Sequence, residues 1–242
     1  KNKKLINISS VGGGISAYKA LDLIRLLVKN NIEVKTILTK SGKEFVTPLS
    51  ITSLSNNKVF ENIFDVNNEK EIDHISLSRW ADIVLVLPTT ANMMTKLCLG
   101  KAEDLATTVM LASNKDILLI PAMNVRMWLH KATQNNLKIL LDFGYKFIGP
   151  VDGEMACGEF GRGKMSSPRQ IFSFLKYYFN FSSNGDNSLY EQFSQCFDGT
   201  LVSQPTLISF IFFEFRIFVK ESLNIFPNEA VSVFKAHTFK LP

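Results

Sequence analysis

The chain holds only three cysteines in 242 residues, Cys98, Cys157 and Cys196, widely spaced and with no Cys-x-x-Cys pair. That spacing excludes a disulfide framework, and with only three histidines there is no zinc-ligand pattern either. A reducing compartment is implied, and the cytoplasm is the expected location. No block of one charge sign occurs: the net charge is +5 and the lysines are dispersed, so no nucleic-acid partner is indicated. Long apolar runs are missing as well. Residues 207–219 are too few to span a bilayer and include Glu214 and Arg216. Near the start, Asn7, Ser9, Ser10 and three glycines break any signal-peptide core. No membrane partner is expected.

What is present is a globular composition, 46% hydrophobic, with enough length for one substantial core and an appendage. Residues 5–9 form a short, mostly apolar run, Gly12-Gly13-Gly14 follow, and Leu21, Ile24, Leu27 and Val28 then recur at helical spacing. With an apolar strand over 32–39, this is a βαβ unit with parallel strands and a right-handed connection. Its glycine turn suits an anion at a helix N-terminus. The dinucleotide fingerprint is incomplete, because the third glycine is missing and no acidic residue ends the second strand. Thr39-Lys40-Ser41 stands there and offers hydroxyls to a phosphate, which favours a mononucleotide or flavin over NAD.

Further on, 44–54 reads as helical with Pro48 in the first turn of a second short helix, and 56–71 reads as a polar surface loop. His74 stands at a helix start, as a cap, a surface residue or a catalytic group. The strand 82–87 runs into Pro88-Thr89-Thr90-Ala91-Asn92, which suits a capped helix, a planar hydrogen-bonding ligand, or both. Helices follow over 93–99, with Cys98 as a core residue, and over 104–112. A strand over 116–120 enters Pro121-Ala122-Met123-Asn124, a helix covers 134–143, and a fifth strand covers 145–148. The alternation predicts a doubly wound, three-layer α/β fold of Rossmann or flavodoxin-like type over residues 1–180, with strand-end polar residues on one edge.

Residues 153–165 carry Gly153, Gly158, Gly161 and Gly163 around Cys157, so a mobile loop is expected there. With Arg162 and Lys164 it is either a lid bringing a thiol to an anionic ligand or a surface turn with an idle cysteine. Fourteen of the twenty phenylalanines lie beyond residue 170. The stretch 181–242 has no persistent period and is expected to be a divergent appendage, a remnant of a lost domain or a reading-frame artefact.

Several separate stretches match one family in order: Gly13-Gly14-Ile15-Ser16-Ala17-Tyr18-Lys19, Phe45-Val46-Thr47-Pro48-Leu49, His74-Ile75, Pro121-Ala122-Met123-Asn124 with Met127-Trp128, and Ala156-Cys157-Gly158 with Gly163-Lys164-Met165. In these the chain resembles the flavin-containing cysteine decarboxylases, and among them the phosphopantothenoylcysteine decarboxylase domain of the bifunctional coenzyme A biosynthesis protein. The resemblance implies FMN held by Gly13, Gly14, Ser41, Thr90, Ala91, Asn92 and Ala122. It implies His74, Asn124 and Cys157 as catalytic residues, with Asn124 also holding the substrate carboxylate and Cys157 donating a proton. Met123, Ala156, Arg162, Lys164 and Met165 are the further substrate-binding candidates, and no metal is implied. Gly12 departs from the Thr or Ser usual in the family, and Met93 from a Thr.

The implied reaction is decarboxylation of phosphopantothenoylcysteine to phosphopantetheine, with FMN as electron sink and no net redox change. A homotrimer or a multiple of trimers is the implied assembly. Two other readings stay open: a peptidyl-cysteine decarboxylase, which stops at the enethiol, and a non-catalytic flavin-binding regulatory subunit. The synthetase domain that usually follows in bacteria is not recognisable after residue 180.

Overall fold

Successive side chains of a strand face opposite ways, so a strand buried on both faces needs a layer on each side. The strand Ile83–Thr89 is buried at every position. Its Ile83, Leu85 and Leu87 enter one apolar cluster, and its Val84 and Val86 enter another. The computed structural model, which describes residues 5–63 and 73–182, shows which elements supply the two layers.

In chain order these are β1 (Leu5–Val11), α1 (Tyr18–Lys29), β2 (Glu33–Leu38), α2 (Pro48–Ser55), β3 (Val59–Phe60), α3 (Asp73–Trp80), β4 (Ile83–Thr89), α4 (Ala91–Cys98), α5 (Leu105–Ala112), β5 (Ile117–Pro121), α6 (Val125–Leu129), α7 (Lys131–Asp142), β6 (Lys146–Phe147), β7 (Val151–Glu154), β8 (Phe160–Lys164) and α8 (Pro168–Ser182). Six strands form one parallel sheet in the order β3-β2-β1-β4-β5-β6, and β7 pairs antiparallel with β8 in a sheet of their own. Leu23, Ile24 and Leu27 of α1, Ile51 of α2 and Ile171 and Leu175 of α8 cover one face. Met94, Leu97, Leu105, Val109 and Leu140 from α4, α5 and α7 cover the other. The doubly wound three-layer α/β fold is therefore as expected.

Several elements differ from the sequence expectation for local reasons. The buried stripe of α1 is Ala20, Leu23, Ile24 and Leu27, so Leu21 and Val28 lie at its border rather than in it. Val59–Phe60, expected within a surface loop, is an edge strand beside β2. A two-residue strand among polar neighbours has no period to read. Asn124 caps the five-residue α6, and His130 caps α7, which brings that helix's start forward to Lys131. Glu44 falls in a 3₁₀ turn, Gly42–Glu44, and the helix proper starts at Pro48 behind the Thr47 cap.

The main correction concerns the glycine-rich segment 153–165, which is a β-hairpin and not a loop. Glycine weakens a strand when entropy alone is counted, but it is also what permits another backbone to approach closely. A methyl group on Gly163 would lie 2.4 Å from the carbonyl oxygen of Met123, and one on Gly161 would lie 3.2 Å from Val125. These glycines thus serve contact with the β5–α6 connection and the start of α6.

The chain divides into a unit from Lys1 to Phe197 and another from Asp198 to Pro242, and all the elements above belong to the first. Apart from the end of α8, the expectation of a separate tail over 181–242 lies outside the described residues. Among the described residues, no helix is long and apolar enough to cross a membrane.

Candidate active site

Open parallel sheets bind ligands at the carboxyl ends of their strands, at the point where strand order reverses. Here the reversal lies between β1 and β4. Gly13 and Gly14 follow β1, Ser41 follows β2, Thr90, Ala91 and Asn92 follow β4, and Ala122 follows β5. All seven expected cofactor residues therefore share one edge of the sheet. A methyl on Gly13 would sit 2.5 Å from the Ser41 Cβ, so glycine is what lets the first two of these turns touch. No side chain caps the 3₁₀ turn Ile15–Ala17 at Gly14, and no acidic residue stands in its first turn, an arrangement that suits an anion. Thr90 caps α4 by accepting from the Met93 amide at 3.2 Å.

Thr39 does not offer its hydroxyl to a phosphate. That hydroxyl donates to the Val11 carbonyl at 2.9 Å and accepts from the Gly42 amide at 3.1 Å, tying the end of β1 to the turn after β2. Ser41, the other hydroxyl of the pair, is exposed.

On the same side of the chain's layout, the hairpin docks on the segment after β5. The Met123 amide donates to the Gly163 carbonyl at 3.0 Å. The turn between β7 and β8 is closed by the Met155 amide to the Glu159 carbonyl and the Gly158 amide to the Met155 carbonyl, both 2.9 Å. Gly158 takes φ of +80°, a left-handed conformation that suits glycine. Cys157 is exposed in this turn.

Docking brings Asn124 and Cys157 together. The Asn124 Oδ1 accepts from the Arg126 amide at 2.8 Å, while its Nδ2 donates to Glu159 Oε2 at 2.5 Å. The same Nδ2 lies 3.5 Å from Cys157 Sγ. An amide nitrogen has two hydrogens, so it can serve both neighbours.

Lys19, in the first turn of α1, donates to the Met165 carbonyl at 3.2 Å. Burial, and next the positive charge of Lys164, hold the Lys19 ammonium below the usual lysine value. Lys164 itself lies across Gly153, where an added methyl would be 2.7 Å from its Cδ. The Met165 side chain is 1% exposed and belongs to the core, so it is the Met165 carbonyl that faces Lys19. Arg162 stands opposite Asp152 in the hairpin, Ala156 is exposed in its turn, and Met123 is half-buried against the α4, α5 and α7 layer. His74 is half-buried near the start of α3, and among the described residues it makes no hydrogen bond to Asn124 or Cys157.

Two residues at this place carried no role in the sequence reading, Glu159 and Lys19. Glu159 had a faint signal, as an acidic side chain two positions after Cys157. Among the described residues, no group of three or more His, Cys, Asp or Glu could hold a metal ion.

A family model described as Flavoprotein matches residues 1–180. The coenzyme A biosynthesis bifunctional protein CoaBC of Haemophilus influenzae is 42% identical over 173 residues, covering 72% of this chain and 43% of that protein. The protein of the same name from Bacillus subtilis is 40% identical over 169 residues, covering 70% and 42%. The chain thus spans under half the length of the curated relatives it matches. Among solved structures, a PPC decarboxylase mutant complexed with pantothenoylaminoethenethiol is 26% identical, with a TM-score of 0.65 over 74% of this chain and 100% of that one. The FMN binding protein AtHal3 is 27% identical, with a TM-score of 0.62 over 74% and 98%.

Proposed function

The chain belongs to the Flavoprotein family, and from that premise we propose that it is an FMN-dependent phosphopantothenoylcysteine decarboxylase, serving coenzyme A biosynthesis. The observation that carries this reading is the meeting of Asn124 with Cys157, 3.5 Å apart, on the connection that leaves the sheet edge after β5. The residues present fit FMN: the turn at Gly14 has no side-chain cap and suits the phosphate, and no atom beyond its chain neighbours lies within 4 Å of where a Gly14 side chain would begin, which leaves space for the ligand. When bound, FMN supplies an electron sink that accepts a hydride and returns it.

The chain's own residues do the rest. Asn124 holds the substrate carboxylate in line for loss of CO2, and His74 assists deprotonation of the substrate. Cys157 then gives a proton to carbon, so the product is the saturated thiol phosphopantetheine. Lys164 and Arg162 attract the anionic substrate to the hairpin. Decarboxylation of a peptidyl C-terminal cysteine ends at the enethiol and needs no thiol acid, so the placement of Cys157 beside Asn124 favours the phosphopantothenoyl substrate.

The proposed assembly is a homotrimer or a multiple of trimers in the cytoplasm, with FMN near a subunit boundary. Exposed Leu49 and Met127 fit contact between copies. The decisive experiment purifies the chain, records its absorption spectrum and follows CO2 and product mass with phosphopantothenoylcysteine. Bound FMN, CO2 release and phosphopantetheine are the expected results. A colourless protein that releases no CO2 when FMN is added overturns the reading.

A further inference from the structure

Asn124 has one amide and two tasks in the proposed reaction, and the hairpin decides how that amide is held. Its oxygen is committed to the Arg126 amide at 2.8 Å. One N–H is committed to Glu159 Oε2 at 2.5 Å, a charge-assisted bond across the hairpin turn. With both ends of the planar group fixed, neither a flip of the amide nor a swing about its last torsion is free. The remaining N–H is left directed to the Cys157 side, where the sulfur lies 3.5 Å from the nitrogen.

We propose that Glu159 is a positioning residue for the second half of the reaction: it holds Asn124 so that the amide's other N–H faces the Cys157 sulfur as that sulfur gives up its proton. This role rests on the decarboxylase reading above. In the step concerned, the carbon–carbon double bond of the enethiol gains two hydrogens: bound FMN would supply one as hydride, and Cys157 gives the other as a proton to the second carbon. Negative charge is then left on the Cys157 sulfur until solvent returns a proton. A fixed N–H donor beside that sulfur stabilises the charge where it develops and needs no reorganisation at the time. By then CO2 has left, so Asn124 no longer has a substrate carboxylate to hold.

Glu159 is the suitable partner because of its place in the turn. The Glu159 carbonyl accepts from the Met155 amide at 2.9 Å, so the residue is anchored on the strand side of the turn that carries Cys157. Asn124 in turn is anchored by the docking of Met123 on Gly163 at 3.0 Å. The three side chains therefore form one unit spanning the hairpin and the start of α6.

The test compares Glu159→Ala and Glu159→Gln with the wild type as FMN-loaded proteins. Glutamine keeps an oxygen acceptor for the Asn124 N–H, and alanine removes it. Glu159→Ala is expected to leave about tenfold more enethiol for each CO2 it releases, the effect of losing one charge-assisted hydrogen bond. Glu159→Gln is expected to restore most of the saturated thiol. A second readout does not depend on turnover. In a nitrogen-15 spectrum, one side-chain amide proton of Asn124 is expected far downfield in the wild type, shifted back in Glu159→Ala and retained in part in Glu159→Gln. An unchanged enethiol fraction in Glu159→Ala, or a proportional loss of CO2 and thiol together, overturns the positioning role. A wild type that releases no CO2 overturns the reaction and this role with it, whereas an unshifted Asn124 resonance in Glu159→Ala overturns the role alone.

Discussion

At the scale of single residues, the proposed mechanism separates two chemical tasks by side chain. Cys157 is needed only after CO2 has gone. A Cys157→Ser variant is therefore expected to release CO2 but to accumulate an enethiol about two mass units lighter than the thiol, because two hydrogens are never added. Mass spectrometry of the product decides it, and a normal thiol product would remove Cys157 from this step. The identities of Asn124 and Cys157 were legible in the sequence because each sits in a short motif whose order along the chain is specific. Their contact was not legible, since it depends on a hairpin docking across 33 positions of sequence. Thr39 shows the reverse error: a hydroxyl at a strand end looks available to a phosphate until the neighbouring strand's Val11 carbonyl is seen to take it.

At the scale of elements, the hairpin β7–β8 is the piece that sequence reasoning misjudged, and the reason is physical. Glycine's entropic cost in a strand is a local quantity, whereas its benefit appears only when a second backbone lies against it. Gly163→Ala tests that benefit. Its methyl would stand 2.4 Å from the Met123 oxygen, so the hairpin must lift from the segment that carries Asn124. A loss of about 1 to 3 kcal/mol in stability is expected from such overpacking, read by thermal unfolding. CO2 release should fall with it, because Asn124 is displaced. The short elements β3 and α6 escaped the sequence for another reason: two and five residues are too few to show a period.

The hairpin's base also couples to α1 through charge. Lys19 is held below the ordinary lysine value of 10.5 by burial first and by Lys164 second. A lysine whose folded value is lowered costs stability while it is charged in the fold. That cost is present in full below the folded value and is relieved as pH rises from there towards 10.5. Replacing Lys164 with methionine removes the second cause and leaves the first, so the Lys19 titration is expected to move up without reaching the ordinary lysine value. Competitive acylation of the amines between about pH 8 and pH 11, read peptide by peptide, measures this. An unchanged Lys19 titration in Lys164→Met would show that burial alone sets it.

At the scale of the whole molecule, the alternation of strands and helices makes the three-layer sheet readable from the sequence. The seven cofactor candidates came from the family resemblance, and their positions after β1, β2, β4 and β5 accord with the rule that parallel sheets bind ligands at strand ends. The same alternation carried the unit to residue 180, but not what the helix after the hairpin contributes to it. In the structure, α8 is part of the core: Ile171, Phe172, Phe174 and Leu175 are all buried, and Tyr178 hydrogen-bonds the Asp116 carboxylate that also pairs with Lys146 at 2.5 Å. Burying side chains of this kind contributes about 1.5 to 3 kcal/mol each. Four of them amount to roughly 6 to 12 kcal/mol, comparable with the ~5 to 15 kcal/mol that holds an ordinary domain folded. A chain ended at Ser167 is therefore expected to lose both its cooperative thermal transition and its bound FMN, and a chain ended at Ser182 to keep both. Circular dichroism melts and the flavin spectrum of the two truncations measure this directly. A cooperative, FMN-binding protein ending at Ser167 would place α8 outside the folding unit, and the sheet face covered by Leu23, Ile24 and Leu27 would then need another source of stability.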